Sequence, residues 1–530
     1  MNPPTTERKK NGLRRNHSRV VLRRADSDAK LQQIRESAPT KFDLAVSSHS
    51  YHVEGGLTCS CLVWKSETPI ELDFEFSSWL SFQGGVLCLG NLSLCNDLIL
   101  KEIRESDVPC WVYNSDLIDA SMHEFLELYE TASRKWDTTF PVEICYALKA
   151  NSFCHVLRRT VSLGCSVEVC TEAEVDLLLS LICKDNFGLA ESKSRIIING
   201  LKLTERFVQK CVNLCLTWPK HLLVIDSLQE LETLLNLQNI ASVQKSLQVG
   251  LRIKVREQPV SLSEMDKLVS RFGLDSIQLM EAAKLVEESE FLELKALHAM
   301  GGKCSDIKGF IARSAFELYL RVKRFSPTLE FLDVGGGMPG GISGLNFDYS
   351  NCISASLKMI ADLCPAEISP PKIIAEFGSY LVSSHGCLIF RVIGLKQSSS
   401  GVPWYIVNGS IMNSLPDVWA LADHFAVLPI SSKSKGPYQR VLLGGMTCDE
   451  DDVYPPPGSS VELFLPCDID GLEIAFCGVG AYEQMLSGNG IHHCSVREPS
   501  EFLFDKNMGL RKNYKSQRNF SSLLGYETDE

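Results

Sequence analysis

The segment from about residue 107 to about residue 385 alternates short apolar runs with stretches of helical spacing, and this alternation restricts the possible folds strongly. A helix between two apolar strands is the usual crossover of a parallel sheet. About eight such units in succession predict an α/β fold built on a (β/α)8 barrel of the TIM type. The runs interpreted as strands are VPCWVYN, PVEICYALKA, CSVEVC, RIIING, HLLVID, LQVGLRIKV, ELKALHAMGG, LEFLDVGGG and PKIIAEFG.

The segments on either side of the predicted barrel differ from it in character. Residues 1–40 begin with a basic stretch that is poor in acids, which predicts a disordered tail or, as an alternative, an organelle-targeting peptide. Residues 41–106 carry short alternating runs that predict strands, and residues 386–510 are rich in strand and turn signals. We therefore expect a second, mainly β domain to which both segments contribute, followed by a polar tail at 511–530.

Composition excludes several classes of function. A formal charge of −12 and a pI near 5.5 argue against a protein that mainly binds nucleic acid. We find no apolar run of about 18 residues, so we expect no membrane span. The 20 cysteines are scattered and never form paired CxxC motifs. They favour a reducing compartment, the cytoplasm, over a disulfide framework.

One short run offers metal ligands. His492, His493 and Cys494 are consecutive, and imidazole and thiolate groups both bind zinc. No partner motif lies near them in the sequence, so we interpret them as loop residues and predict no metal site.

Reactive groups of a (β/α)8 barrel cluster at the carboxyl ends of its strands. Lys149, the glycines 335 to 337 and Glu376 all stand at such ends. An amine that can bond an aldehyde, glycine N–H groups for a phosphate and a carboxylate for a pyridine nitrogen suggest a phosphorylated aldehyde cofactor. Further polar residues at strand ends are Glu168, Asn199, Asp226, Arg252 and His298.

These motifs resemble those of a known family, the pyridoxal-phosphate-dependent ornithine/diaminopimelate/arginine decarboxylases of the alanine-racemase-like barrel class. The resemblance runs in order from about Val108 to about Gly490. The motifs that carry it are YALKAN, SVEVCTEAEVDLLL, IDSLQEL, LDVGGGMPG, AEFGS, GGMTCDEDD and GVGAYEQMLSGNG.

The resemblance implies how pyridoxal 5'-phosphate is bound. Lys149 is similar to the lysine that forms a Schiff base with the cofactor aldehyde, and we expect its amine to be desolvated enough to lose its proton. Gly335, Gly336 and Gly337 resemble the phosphate-binding loop. Glu376 resembles the acid that pairs with the pyridine nitrogen, and Tyr482 the aromatic residue that contacts the phosphate.

The resemblance also implies a homodimer with shared active sites. Cys448 and Asp449 are similar to a pair that reaches across the interface into the partner's site. In that family the cysteine protonates the carbanion left by carbon dioxide, and the acid contacts the distal amine of the substrate.

Two departures from the family pattern concern the cofactor. Where the family has Glu-Pro-Gly-Arg, this chain has Glu376, Phe377, Gly378 and Ser379, so a hydroxyl replaces the arginine that neutralises phosphate. The second departure lies in LHAMGGKC, where Met300 stands in the register of the histidine that stacks on the ring. A one-residue slip would let His298 serve instead, and we expect His298 or Met300 at that place.

A third departure concerns the substrate. Diaminopimelate-specific relatives carry an arginine for the distal carboxylate, and the matching stretch here is Leu415, Pro416, Asp417, Val418 and Trp419. The arginine is missing at Leu415, and an acid, Asp417, stands two residues further on. Together with Asp449, Asp417 favours a substrate with a distal amine or guanidinium, unless Asp417 only caps a turn.

We therefore expect a decarboxylase of a basic amino acid, of the arginine, ornithine or lysine type, with a small-molecule substrate and neither a nucleic acid nor a membrane as partner. Two alternatives stay open. One is diaminopimelate decarboxylation. The other is a decarboxylase-like regulatory protein weakened by the changes at Ser379 and Met300.

Overall fold

The computed structural model describes residues 70–71, 73–136, 140–183, 194–237, 247–254, 271–300, 311–432, 436–487 and 493–513. The predicted tail at 1–40 and most of the tail at 511–530 lie outside these residues. Within them the chain forms a closed parallel barrel, a ten-stranded β sheet and a small four-stranded sheet. The predicted combination of a (β/α)8 barrel with a mainly β domain is confirmed.

Eight parallel strands close the barrel in the order β10-β11-β12-β13-β6-β7-β8-β9. Strand β13 pairs with β6 to close the ring, with Glu376 opposite Cys145. The strands are β6 Val142–Ala147, β7 Ser166–Val169, β8 Ile196–Ile198, β9 His221–Ile225, β10 Leu247–Ile253, β11 Leu292–Ala299, β12 Phe331–Asp333 and β13 Lys372–Phe377.

Helices cover the outside of the barrel and bury one apolar face against the strands. Their starts follow from local sequence: the Asp275 side chain accepts hydrogen bonds from the backbone N–H of Ile277 and Gln278 and so caps α7. The helices are α2 Asp116–Lys135, α3 Cys154–Ser162, α4 Glu172–Cys183, α5 Glu205–Thr217, α6 Leu228–Leu235, α7 Ser276–Glu287, α8 Arg313–Lys323, α9 Tyr349–Leu363 and α10 Ser379–Val382.

The second domain is built on the ten-stranded sheet. Its central path is β18-β17-β15-β14-β5-β21-β22, in which β5 is Cys110–Asn114, and β16, β19 and β20 pair alongside. The elements after the barrel are β14 Gly386–Lys396, β15 Trp404–Val407, α11 Ile411–Ser414, α12 Pro416–Ala420, β16 Ala426–Pro429, β17 Tyr438–Gly444, β18 Val453–Tyr454, β19 Leu463–Pro466, β20 Glu473–Cys477, α13 Glu483–Ser487, β21 Ser500–Asp505 and β22 Gly509–Asn513.

Strand β5, Cys110–Asn114, lies inside the range predicted for the barrel but belongs to the other domain. It pairs antiparallel with β14 and parallel with β21. The first strand of the barrel is therefore β6, and the chain enters the β domain, crosses to the barrel and then returns.

The N-terminal strands form a sheet of their own. They are β1 Phe74–Ser77, β2 Leu80–Gln83, β3 Val86–Leu89 and β4 Leu92–Ser93, followed by α1 Asp97–Glu105. This sheet packs on the β domain, since the Leu87 backbone N–H donates to the Ile430 carbonyl at 2.9 Å and both side chains share one apolar cluster. The predicted association of this segment with the β domain therefore takes the form of a separate sheet packed on it.

Aromatic side chains from both domains meet near His385, which is fully buried. Its ring stacks on Tyr113 of β5 with centroids 4.9 Å apart, and its Nδ1 is hydrogen-bonded to the Val382 carbonyl at the end of α10. Burial lowers the pKa of His385 to about 3, so the ring is neutral at physiological pH.

Candidate active site

The floor of the candidate site follows from the two-residue period of the barrel strands. Inside the barrel lies a small apolar cluster of Cys145, Ile197, Leu222, Val224, Ala296, Phe331 and Ile374. Two positions further along a strand, the next side chain points to the same face. This rule places a polar layer directly above the apolar one, at the carboxyl ends of the strands: Asn199, Asp226, His298, Asp333 and Glu376.

Lys149 follows β6 in a single turn of 3-10 helix, Leu148–Ala150. Its ammonium donates to Oε2 of Glu168 on β7 at 2.6 Å and lies 3.8 Å from the Cys170 thiol. The Lys149 side chain is 44% exposed, whereas Glu168 is only 1% exposed. Lys149 is thus a side chain at the open end of the barrel, anchored to a buried carboxylate.

The expectation that Lys149 is desolvated enough to lose its proton differs from what the structure indicates. Burial alone would lower the pKa of its ammonium, but the neighbouring carboxylates of Glu168 and Glu376 and the Cys170 thiol raise it above its usual value. The pKa of Glu168 is itself raised, mainly by burial and by the charge of Glu376. Lys149 therefore carries its proton in the free protein and faces an acceptor for that proton at 2.6 Å.

Glu376 ends β13 and is nearly fully buried. Its Oε1 accepts a hydrogen bond from Asn199 Nδ2 at 2.6 Å, and its Oε2 lies 3.4 Å from His298 Nε2. Burial would raise the pKa of Glu376, but its interactions with His298 and with the charge of Lys149 outweigh burial and hold the pKa well below its usual value. Glu376 is therefore an ionised carboxylate inside the barrel.

Asp333, at the end of β12, is a second buried carboxyl beside Glu376. His298, Asp333 and Glu376 each place one polar atom in a group whose members all lie within 4.8 Å of one another. Burial and the charge of Glu376 raise the pKa of Asp333 well above its usual value. Of the two carboxyls, Asp333 is therefore the harder to ionise and Glu376 the easier.

The glycine run follows Asp333 directly. Gly335 and Gly337 have φ angles of 67° and 107°, which side chains other than glycine rarely adopt. A Cβ at Gly336 would lie 2.7 Å from the Glu376 carbonyl oxygen. The backbone of this turn therefore passes directly over the end of β13, a close approach that only glycine permits.

His298 and Met300 occupy different places. His298 is 2% exposed and lies in the barrel against Glu376, whereas Met300 is 40% exposed. The Met300 sulfur accepts from the Gly336 N–H at 3.3 Å and thus covers the glycine turn. Both side chains therefore border the candidate site, one from within the barrel and one from its rim.

Gly378, Ser379 and Tyr482 meet beside the Lys149 turn. The Tyr482 hydroxyl lies 2.8 Å from where a Cβ of Gly378 would be, and the Tyr482 N–H donates to the Ala150 carbonyl at 2.7 Å. Burial raises the pKa of Tyr482, and a hydrogen bond with Ser379 partly offsets this rise. Predicted cofactor residues that lie far apart in the sequence are thus neighbours.

Cys448 and Asp449 stand on an exposed loop of the β domain, after β17. Asp452, which is buried, fixes this loop: its side chain accepts from the Thr447 N–H and hydroxyl at 3.0 and 2.7 Å, and from Ser410 and Met412 on the neighbouring segment at 3.1 and 2.9 Å. The two side chains proposed from the resemblance are therefore held on an anchored loop.

Asp417 lies in the first turn of α12, and its N–H donates to Glu483 Oε2 at 3.4 Å. Burial and the charge of Asp417 raise the pKa of Glu483 well above its usual value. The two carboxyls are therefore neighbours, with Glu483 immediately after Tyr482 in the chain. Asp417 lies in the first turn of α12 and also interacts with the Glu483 carboxyl.

Three polar residues of the site were not predicted from the sequence: Cys170, Asp333 and Glu483. Asp333 stands two positions after Phe331 in LEFLDVGGG, so counting the strand period would have placed it in the polar layer. Nothing local in the sequence marks Glu483, since its partner Asp417 lies 66 positions earlier.

The residues present fit pyridoxal 5'-phosphate. The site offers an amine for the aldehyde, an ionised buried carboxylate for a protonated ring nitrogen and, beside them, a glycine turn with no side chains of its own to keep a phosphate from its backbone. Among the described residues, Asn199 Oδ1 and His298 Nδ1 are buried atoms with no hydrogen-bond partner. Buried polar atoms are almost always satisfied, so these two are consistent with contacts to a bound group.

A (β/α)8 barrel with an amine, a glycine turn and an ionised carboxylate at its open end defines the class of pyridoxal-phosphate enzymes built on this barrel. Residues 126–383 match the family model of the pyridoxal-dependent decarboxylases, pyridoxal binding domain. This stretch of the chain belongs to the family, and the family, the cofactor and the enzyme class expected from the sequence are confirmed.

Among curated relatives, the biosynthetic arginine decarboxylase of Phocaeicola vulgatus is 24% identical over 547 residues, covering 80% of this chain and 86% of the relative. Among solved structures, diaminopimelate decarboxylase from M. jannaschii superposes with a TM-score of 0.68 at 18% identity, covering 86% of this chain and 99% of that one. Biosynthetic arginine decarboxylase from Campylobacter jejuni gives the same TM-score at 19% identity, covering 85% and 89%. At these identities the solved structures show the shared fold.

Proposed function

We propose that this chain decarboxylates a basic amino acid with a distal amine or guanidinium, releasing carbon dioxide and an amine. The single observation that carries the proposal is the Asp417–Glu483 carboxyl pair, in which Asp417 lies two residues after Leu415, the position where diaminopimelate-specific relatives place an arginine. The negative charge of Asp417 attracts a distal cation and repels a distal carboxylate. The name of the Phocaeicola vulgatus relative, an arginine decarboxylase, supports this substrate class.

Lys149 and Glu168 are proposed to carry out the first proton transfer, from the lysine ammonium to the glutamate carboxylate. When bound, the cofactor supplies an aldehyde that bonds an amine and a ring that accepts electrons. The Lys149 amine reacts only when it is neutral, and Glu168 Oε2, 2.6 Å away, is placed to take its proton. The raised pKa of Glu168 suits this role, because a more basic carboxylate accepts a proton more readily.

Glu376 and Asn199 hold the charge at the bottom of the site. Glu376 stays ionised beside His298 and so favours a protonated pyridine nitrogen. Asn199 fixes the carboxylate through its 2.6 Å hydrogen bond to Oε1. Gly335, Gly336 and Gly337, with Gly378, Ser379 and Tyr482, are proposed to hold the phosphate, with hydroxyls in place of a cation.

We further propose that two chains form a homodimer in which Cys448 and Asp449 complete the partner's site. In this arrangement Cys448 Sγ donates a proton to the carbon left by carbon dioxide, and Asp449 joins Asp417 around the distal cation. The exposure of Cys448 and the anchoring of its loop by Asp452 support a side chain presented to a partner. Dimer formation is tested by sedimentation.

The chain is proposed to act in the cytoplasm. No helix in the described ranges is long and apolar enough to cross a bilayer.

The test is a measurement of carbon dioxide evolved from both enantiomers of arginine, ornithine and lysine, and from diaminopimelate, with added cofactor. We expect turnover of one or more basic substrates and little or none of diaminopimelate. Turnover of diaminopimelate alone would refute the assignment of Asp417.

A second candidate function rests on Ser379. Because a serine brings no charge to the phosphate, a decarboxylase-like regulatory protein with weak cofactor affinity stays an alternative. A titration of the protein with cofactor, followed by absorbance, separates the two: saturable binding without substrate supports an enzyme, and no binding supports a regulator.

A further inference from the structure

Cys448, His493 and Cys494 meet on the surface of the β domain. Cys448 Sγ lies 3.5 Å from Cys494 Sγ and 4.0 Å from His493 Nε2, and all three ligand atoms lie within 4.8 Å of one another. Asp449 Oδ2 lies 3.7 Å from the same His493 nitrogen. We name Cys448, His493 and Cys494 the thiol–imidazole cluster.

The spacing of the cluster matches a tetrahedral site. With Zn–S bonds of about 2.3 Å and Zn–N bonds of about 2.0–2.1 Å, tetrahedral geometry separates two sulfurs by roughly 3.8 Å and a sulfur from a nitrogen by roughly 3.6 Å. The observed separations of 3.5 and 4.0 Å deviate from these by less than half an ångström. The third separation, between Cys494 and His493, is within 4.8 Å, so the three ligand atoms are close enough to share one ion after small shifts.

Both sides of the cluster are attached to the same short segment of the fold. Asp452 ties the Cys448 loop to Ser410 and Met412, as described above. On the other side, Asn413 Nδ2 donates to the His493 carbonyl at 3.1 Å. The ligands are thus preorganised by contacts with the segment around α11, so a bound ion need not order them from separate loops.

We propose that the thiol–imidazole cluster binds a thiophilic divalent cation, Zn²⁺ above others, with Asp449 as the fourth ligand. Two soft sulfurs and an imidazole select zinc over magnesium or calcium, which prefer oxygen ligands. Binding converts both thiols to thiolates, and their two protons pass to the solvent. No cysteine pair close in sequence reveals the site, since Cys448 and Cys494 are 46 positions apart.

The site has a consequence for catalysis that rests on the proposed function. An ion held by Cys448 and Asp449 engages the proposed proton donor and one of the two carboxylates proposed to bind the distal cation of the substrate. Zinc at this site therefore inhibits decarboxylation, and a chelator restores it.

The test titrates the reduced, full-length protein with Co²⁺, whose tetrahedral thiolate complexes absorb strongly in the visible range. We expect one Co²⁺ per chain with thiolate charge-transfer bands, displaced by one equivalent of Zn²⁺. The variant Cys494→Ser should lose these bands and weaken binding at least tenfold. The matched control is Cys154→Ser, another exposed cysteine that lies outside the cluster, and it should bind as the natural chain does.

Equal Co²⁺ spectra in the natural chain and in Cys494→Ser would overturn the proposal. So would a reduced protein that binds no Co²⁺, when the same protein exposed to air forms a disulfide between Cys448 and Cys494; the two thiols would then be a redox pair and not metal ligands. The binding measurement needs neither substrate nor pyridoxal phosphate, so it stands if the proposed activity fails. In active protein, Zn²⁺ should inhibit the natural chain at least tenfold more strongly than Cys494→Ser.

Discussion

The Lys149 ammonium lies 2.6 Å from a Glu168 carboxylate that is almost completely buried, although Lys149 follows β6 and Glu168 lies on β7. This pair keeps the reactive amine protonated in the free protein and provides a base beside it. Cofactor uptake is therefore coupled to proton transfer within the pair.

Replacing Glu168 with Gln should shift the pH dependence of cofactor uptake towards lower pH. Glu168 is among the groups that raise the pKa of Lys149, so its removal lets the amine lose its proton at lower pH. Stopped-flow absorbance of the protein mixed with pyridoxal phosphate, at a series of pH values, measures the shift. The control is Glu172→Gln, a neighbouring glutamate on α4 that pairs with surface cations. A shift towards higher pH would contradict the assigned role.

Replacing Lys149 with Ala should abolish covalent capture of the cofactor and reduce turnover by on the order of 10³-fold or more, because the amine that bonds the aldehyde is gone. Borohydride reduction followed by intact-mass measurement detects the captured cofactor. The matched control, Lys358→Ala, removes a lysine from the barrel exterior and should retain the added mass. Equal labelling of the two variants would show that another lysine reacts.

Replacing Glu376 with Gln should lower kcat by on the order of 10²-fold, since a neutral amide cannot stabilise a protonated pyridine nitrogen. The amide oxygen can still accept the hydrogen bond from Asn199, so cofactor binding should fall much less than turnover. Absorbance titration gives the affinity and carbon dioxide release gives the rate. An unchanged kcat would exclude Glu376 as the partner of the ring nitrogen.

Replacing Asp417 with Asn should lower kcat/KM for basic substrates by about 10- to 100-fold, the value of one charge-assisted hydrogen bond. The loss should appear mainly in KM, because the distal cation is bound throughout the reaction. Steady-state kinetics with arginine, ornithine and lysine measures it. Asp423→Asn, a nearby acid whose N–H donates to the Asp417 carbonyl, serves for comparison and should have the smaller effect.

The buried His385 predicts a specific acid sensitivity. Its pKa is lowered from 6.5 to about 3, so the unfolded chain binds a proton that the folded chain does not. Below pH 6.5 this costs about 1.4 kcal/mol of unfolding free energy per pH unit, down to about pH 3. Urea unfolding of His385→Gln between pH 4 and 7 should show a shallower slope than the natural chain. The exposed His123→Gln on α2 should not alter the slope.

Much of the barrel was predictable because each strand is an apolar run, and the residues just after that run mark its carboxyl end. Lys149, Glu376 and the glycines 335 to 337 follow apolar runs directly, and the fold brings such ends together. Asp333 was not predicted as a site residue, because the glycines that follow it form the more recognisable motif.

Other features depend on contacts that no local pattern encodes. Strand β5 is five buried residues, and such a run is equally compatible with a barrel strand and a sheet strand. The protonation of Lys149 depends on Glu168, which reaches it only through the pairing of β6 with β7. The approach of Cys494 to Cys448 depends on two loops and their anchors.

The position of β5 between β14 and β21 also sets an order in time. During synthesis β5 leaves the ribosome before any barrel strand, whereas its neighbour β21, Ser500–Asp505, is made after all of them. The sheet that carries Cys448 therefore stays incomplete until β21 has been translated, although every barrel strand has been made by then. A product truncated between β13 and β21 carries the lysine without a finished β domain.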